Sequence, residues 1–259
     1  MTSAPYSNWV TRMNNDARSQ GRYQDVAYVL HGRAYQNTSM LVDLFTREHG
    51  RIGLVAKGVK RPSSKMFGAL QPLQGLFVSW GGRSELKTLY SAEIEPHIST
   101  TLAGDRLYMG LYINELLIRL LHNEEAHIRL FDVYQQCLQT LASEADCEPA
   151  LRYFEVQLLE ELGYGVNFVY DYQTETEIQA DESYTYVPER GFAQRTRQQG
   201  DDLIIQGQTI KSLAEHQLSG VQQKKEAKLL LRTIIEYHLE GRPLKTRELF
   251  QQKQPNHQA

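Results

Sequence analysis

The hydrophobic period changes once along this 259-residue chain, near residue 100, and that change divides it into a strand-forming part and a helical part. Before it, five short runs are alternating or rich in β-branched and aromatic residues: Ala27–Leu30, Met40–Phe45, Ile52–Ala56, Leu76–Trp80 and Leu86–Ser91. Turn-forming residues separate them, notably His49-Gly50 and Gly81-Gly82. Five strands in about seventy residues, with the longest connection between the third and fourth, predict a small closed barrel of the OB type over 24–95. In that architecture strands two and three and the flanking loops commonly carry oligonucleotides.

After residue 100 the apolar residues recur in steps of three and four. Leu107, Leu111, Leu117 and Leu121 form one set, Ile128, Phe131, Tyr134, Leu138 and Leu141 a second, and Leu151, Phe154, Leu158 and Leu162 a third. The third is punctuated by Glu148 and Pro149 in a first turn and by Gly163 as a stop. The three are expected to pack as a helical bundle over 100–166. The helical pattern lapses over 167–210, a small irregular or β module in which Tyr184–Val187 and Leu203–Ile205 read as short strands. It returns over 211–251 with Ala227, Leu230, Leu231, Ile234 and Ile235, pauses at Gly241-Arg242-Pro243, and resumes from Thr246 through Phe250. The class is therefore α+β. Residues 1–23 read as a flexible polar extension and 252–259 as a polar tail.

The best apolar run, Leu111–Leu121, carries Asn114, Glu115 and Arg119, so nothing approaches the ~20 apolar residues of a membrane span. The N-terminal segment lacks an apolar core of the secretory kind, which makes the cytoplasm the expected compartment. Cys137 and Cys147 are too few for a disulfide scaffold or a four-thiolate zinc site and read as small buried thiols.

A formal charge of −3 conceals a strong segregation. Residues 1–90 hold twelve basic and five acidic side chains, a net of +7; residues 91–220 hold eight and twenty-two, a net of −14; residues 221–259 hold eight and four, a net of +4. A basic barrel joined to an acidic middle implies two surfaces with different partners, one of them suited to a polyanion.

Enzyme constellations are missing from the sequence. It has no G-x-S-x-G elbow, no phosphate-binding GxxxxGK[ST] loop and no HExxH helix. His122 and His127 are five apart and do not stack on one helical face. The adjacent pairs Glu124-Glu125 and Glu160-Glu161 point in different directions. Gly163-Tyr164-Gly165 follows a helix, where a dinucleotide fingerprint follows a strand. No catalytic residue, metal or cofactor is expected.

The stronger constellation is basic. Arg47, Arg51, Lys57, Lys60, Arg61 and Lys65 fall within nineteen residues that contain one acid, Glu48, and Arg83 and Lys87 flank or enter the last strand. Phosphates call for exposed cations, and single strands add aromatic platforms, for which Tyr35, Phe67 and Trp80 are available. Trp80 alternates with core positions and reads as core. Gly58–Lys65 reads as a mobile basic loop able to close on a nucleic-acid backbone. Charge clustering on an OB-like pattern favours nucleic acid over a merely solvated loop. In the acidic segment, Arg119 and Arg152 lie within turns of Leu116, Leu120 and Phe154. Such an arginine can hold the carboxylate end of a peptide whose side chain enters an apolar pocket. From spacing alone, salt bridges to Glu115 or Glu155 are the plainer account.

The segments YVLHGRAYQNTSMLVDLFTREHGRIGLVAKGVKR, GALQPLQGLFVSWGGRSELKTLYSAE, GLYINELLIRLL, EPALRYFEVQLLEELGYGVNF and GRPLKTRELF together resemble the bacterial RecO family of recombination mediators, in order from about residue 24 to 250. The resemblance implies an N-terminal OB domain and a helical core, binding of single- and double-stranded DNA and annealing of complementary strands. It further implies work with RecR to load RecA onto DNA coated by single-strand binding protein, in the cytoplasm and associated with the nucleoid. By position, Arg51, Lys57, Lys60, Arg61, Lys65, Arg83 and Lys87 become DNA-contact candidates, with Lys245 and Arg247 in KTRELF as further DNA or RecR contacts. Arg152, with Arg119 and Phe154, becomes the candidate site for the acidic, phenylalanine-ended tail of single-strand binding protein. Some members carry a four-cysteine zinc module after YGVNF; residues 168–259 here contain no cysteine, so the module is expected to lack zinc and to be held by packing. A protein-binding scaffold without DNA affinity and an RNA-binding OB protein are the competing readings.

Overall fold

The computed structural model describes residues 21–82, 86–143, 145–195 and 203–253. The greater part of the expected N-terminal extension, Arg83 and the end of the tail lie outside the described residues.

A single long strand closes the barrel. β1 (Arg22–Tyr35) is fourteen residues long, and its two halves serve different neighbours. Arg22–Tyr28 pairs with β4 (Gly75–Gly81), and Ala27–Tyr35 pairs with β2 (Ser39–Thr46). β2 continues antiparallel into β3 (Gly50–Ala56), β3 runs parallel to β5 (Lys87–Ile94), and β5 returns to β4. The resulting closed order β1-β2-β3-β5-β4 is that of an OB-like barrel, as the period-two runs imply. Alternate residues fill it: Ala27, Val29, Val42, Leu44, Ile52, Leu54, Leu76, Val78 and Leu89 are all buried, with Trp80 at 1% exposure.

β1 carries a bulge between Val29 and His31, and a bulge leaves ladder groups without strand partners. Here a helix supplies the partner. In α1 (Gly104–Leu120), buried Asn114 donates from Nδ2 to the carbonyls of Val29 (3.2 Å) and Leu30 (2.9 Å), and its Oδ1 accepts from Tyr134 at 2.5 Å. Tyr134 and Phe131, on α2 (Ile128–Ala142), meet Tyr28 and Phe45 on the outer barrel face with ring centroids 5.0 to 5.9 Å apart. Burial pushes the Tyr28 and Tyr134 phenols well above their ordinary range, so both remain neutral donors. At the β2–β3 hairpin, Gly50 has φ +68°, and a Cβ there would lie 1.7 Å from the Glu125 carbonyl oxygen. Only glycine admits the chain that follows α1 this close.

Two compact units emerge. One runs to Ala142 and takes in the chain from Thr246; the other is Ser143–Lys245. The stretch 100–166 expected to form one bundle spans the boundary between them. α1 and α2 belong with the barrel, whereas α3 (Cys147–Glu161) belongs to the second unit and packs against α5 (Gly220–His238). α6 (Lys245–Lys253) starts at the boundary, and Glu115 Oε2 accepts from its Thr246 backbone N–H (2.9 Å) and hydroxyl (2.8 Å).

Within the second unit α3 has the punctuation read from sequence. Asp146 caps the N–H of Glu148 at 3.2 Å, Pro149 lies in the first turn, and Gly163 (φ +78°) ends the helix. There Gly163 N–H bonds to the Glu160 carbonyl and Tyr164 N–H to the Leu159 carbonyl, the paired bonds of a Schellman stop. The module is a three-stranded antiparallel sheet ordered β7-β6-β8, with β6 Ser183–Val187, β7 Gly191–Gln194 and β8 Ile204–Gln206, followed by α4 (Gly207–Ala214). Phe168, Ile178, Tyr184, Phe192 and Ile205 form its interior. Buried Asp171 stitches it together: Oδ1 accepts from the N–H groups of Gln173 (2.7 Å) and Thr174 (3.1 Å), and Oδ2 from that of Gln194 (2.6 Å). A carboxylate with three N–H donors joins a turn to a strand.

Candidate nucleic-acid interface

The basic residues that cluster in sequence separate into two sets in space. The first set is partnered within its own unit. Arg47 pairs with Asp132 (3.1 Å) and Glu48 (3.0 Å). Lys87, only 16% exposed, pairs with Glu124 at 2.5 Å. Arg51 donates to the Ile118 (2.7 Å) and Leu121 (3.2 Å) carbonyls and lies 3.3 Å from Asp43. These carbonyls close α1, whose C-terminal end is electronegative, so Arg51 is a tertiary helix cap and is turned away from solvent phosphates. Replacing Arg51 with methionine keeps the stem and removes the cap. We expect a loss of about 2 kcal/mol in urea unfolding with DNA affinity nearly unchanged, because two part-buried helix-end carbonyls lose a charged donor.

The second set is solvent-facing. Lys57, Lys60, Arg61 and Lys65 are exposed and form no ion pair among the described residues. They follow β3, in the stretch that reads from sequence as a basic loop, and its backbone is hydrogen-bonded. Lys60 N–H bonds to the Thr38 carbonyl in the β1–β2 turn (2.9 Å), Arg61 N–H to Gly58 (3.1 Å) and Ser64 N–H to Arg61 (2.9 Å). Fully buried Val59 pins the segment to the barrel core. The cations are thus long flexible stems on a fixed base, the combination that reads a phosphate chain at low ordering cost.

Arg33 joins this set, although sequence reading passed over it because it stands apart from the run. It is exposed on the outward side of β1, pairing with Leu41, which in turn pairs with Val55 two residues before Lys57. Two strand spacings of ~4.8 Å place its backbone within roughly 10 Å of β3. The alternation His31-Arg33-Tyr35 was the available signal, obscured by the bulge that shifts its phase.

The aromatics sort clearly. Trp80 is core, stacked on Tyr23 at 5.7 Å and 19°. Tyr35 is half-buried, and Phe67 is exposed at the far end of the basic segment. Arg83 lies outside the described residues. Lys245 is exposed, and Arg247 lies over the Tyr112 ring at 5.7 Å.

The second candidate site is rearranged by the structure. Arg152 is buried, its guanidinium 2.9 Å from an equally buried Glu155, and Phe154 is fully enclosed. All three lie in the interior of the second unit, and the ion pair that spacing offers for Arg152 is present. Arg119 is part-exposed, 3.5 Å from Glu115. Cys137 and Cys147 are free thiols, both buried. Among the described residues no three His, Cys, Asp or Glu side chains converge as metal ligands, and no helix is long and apolar enough to cross a membrane. A shallow cleft of about 370 Å³ is lined by Asn167, Tyr170, Asp171, Tyr172, Glu175 and Arg190, but the Asp171 oxygens are already taken by backbone donors.

Comparison with known proteins adds the following. The family model described as "Recombination protein O N terminal" matches residues 20–96, and that described as "Recombination protein O C terminal" matches residues 101–248. The protein named DNA repair protein RecO of Serratia proteamaculans is 44% identical over 234 residues, covering 89% of this chain and 95% of that protein. Its namesake in Pectobacterium atrosepticum is 44% identical over 230 residues, 88% and 93% of the two chains. That of Nitrosospira multiformis is 39% identical over 229 residues, 88% and 94%.

Proposed function

This chain belongs to the RecO family of DNA repair proteins, and from that premise we propose that it is a non-catalytic recombination mediator whose barrel holds single- and double-stranded DNA by phosphate contacts. The observation that carries the reading is the exposed set Arg33, Lys57, Lys60, Arg61 and Lys65, without ion pairs among the described residues, on a hydrogen-bonded backbone. Five cations shield strand charge, so that two complementary strands approach without nucleotide or metal and anneal. RecR, the acidic tail of single-strand binding protein and, through them, RecA are the proposed partners, in the cytoplasm at the nucleoid. Arg119 keeps an exposed edge for such a tail, while Lys245 and Arg247 lie on or beside the start of α6 as a second contact region. DNA contact and tail contact together would give avidity from two modest sites.

The test is annealing of complementary oligonucleotides in chelator, without nucleotide, with and without single-strand binding protein. Acceleration in both conditions is the expected result; binding without annealing, or annealing of RNA alone, overturns it. A salt titration checks the electrostatic part. About five phosphate contacts predict a slope near −3.5 in log affinity against log salt for single strands, and a flat response excludes them.

A further inference from the structure

We propose that Phe67 is a base-stacking platform through which the barrel engages the exposed bases of a single strand, which a duplex hides. The inference deepens the DNA reading and rests on it. A lone exposed apolar residue needs no explanation in general, but the setting of this one is particular. The segment from Lys57 to Gln74 buries its other apolar residues or packs them on the barrel: Val59, Ala69, Leu70 and Leu73 are enclosed, and Met66 lies against the core. Phe67 alone is turned out, 48% exposed, with no ring partner among the described residues.

Its backbone is fixed. Ala69 and Leu70 N–H groups both bond to the Met66 carbonyl at 3.1 and 3.2 Å, and Gln71 Nε2 reaches the Phe67 carbonyl at 3.5 Å. The turn is held from beneath by Met66, Ala69 and Leu70, so the ring is presented rather than left to collapse onto the barrel. Lys65, exposed two residues earlier, can engage a phosphate beside it. Cations on a fixed base beside an open ring are what sequence-tolerant single-strand binding requires, since every base has a π-face and a duplex hides it. Of the other rings that sequence offered as platforms, Trp80 is enclosed and Tyr35 half-buried, and the comparably exposed Tyr90 on β5 already has the Arg22 guanidinium over its ring at 5.3 Å.

Fluorescence anisotropy with three labelled probes tests this: a base-bearing single strand, an abasic strand of the same length, and a duplex. Phe67→Ala should weaken binding of the base-bearing strand about ten-fold and leave the abasic and duplex affinities within two-fold. Phe67→Trp should retain the affinity and show indole quenching by the base-bearing strand only, relative to the unsubstituted protein. Equal loss on all three probes, or no loss on the base-bearing strand while the unsubstituted protein keeps its salt-dependent affinity, overturns the platform and leaves the phosphate reading standing. An unsubstituted protein that binds none of the probes overturns both.

Discussion

Replacing Lys57, Lys60, Arg61 and Lys65 together by alanine is expected to lower single-strand affinity by roughly two to three orders of magnitude near 0.1 M salt, while leaving the fold intact. Each released phosphate contact removes about 0.7 from the salt slope for single strands, so four remove about 2.8, and a tenfold range of salt converts that slope into about 600-fold in affinity. The four side chains are exposed and make no ion pair among the described residues, so nothing in the barrel loses a partner when they are cut back. Removing Arg47 and Lys87 together should do little to DNA binding, because each already faces a carboxylate, Asp132 with Glu48 and Glu124 respectively. Gel-shift or anisotropy measurements at several salt concentrations separate the two sets. A loss that tracks the Arg47–Lys87 pair and spares the quadruple variant would reverse the assignment made here. Urea unfolding of both variants checks that affinity and not folding has changed.

That sorting could not be made from sequence. Composition shows the run of cations from Arg47 to Lys65, yet the groups that partner part of it, Asp132 and the Ile118 and Leu121 carbonyls, come from 67 to 85 residues later in the chain. Local pattern fared better with the fold. The five strands lie where the period-two runs put them, and the Gly163 stop falls where a glycine after the last apolar step requires it. β1 extends beyond its short run on both sides, because one strand has to pair with two neighbours and a bulge breaks its alternation. The grouping of helices was hidden for the same reason as the ion pairs. α3 reads as a continuation of α1 and α2, but its partner is α5, with Lys228 reaching Glu148 at 3.1 Å across eighty residues. Period tells which face of a helix is apolar and not which surface will cover it.

Arg152→Ala is expected to appear as a loss of stability of about 3 to 5 kcal/mol, and only through that as a loss of partner binding. The guanidinium and the Glu155 carboxylate are 5% and 1% exposed, so truncating the arginine removes a charged partner from a carboxylate in a medium that solvates it poorly. α3 is buried on nearly every side, with Leu151, Phe154, Val156, Leu158 and Leu159 enclosed around the pair, so water has no ready route to replace the lost arginine. The double variant Arg152→Met with Glu155→Leu distinguishes a structural pair from a recognition arginine. Removing both charges and filling the space should recover most of the stability, since a buried ion pair is roughly interchangeable with packed apolar groups. If the recovered protein binds a peptide ending in acidic residues and phenylalanine as the unsubstituted chain does, Arg152 acts from within the fold. If stability returns and peptide affinity does not, the arginine contacts the tail after a local opening, and the buried geometry is one of two states. Measured together, unfolding midpoint and peptide affinity therefore decide a question that affinity of the single variant would answer misleadingly, because a partly unfolded second unit loses any partner it has.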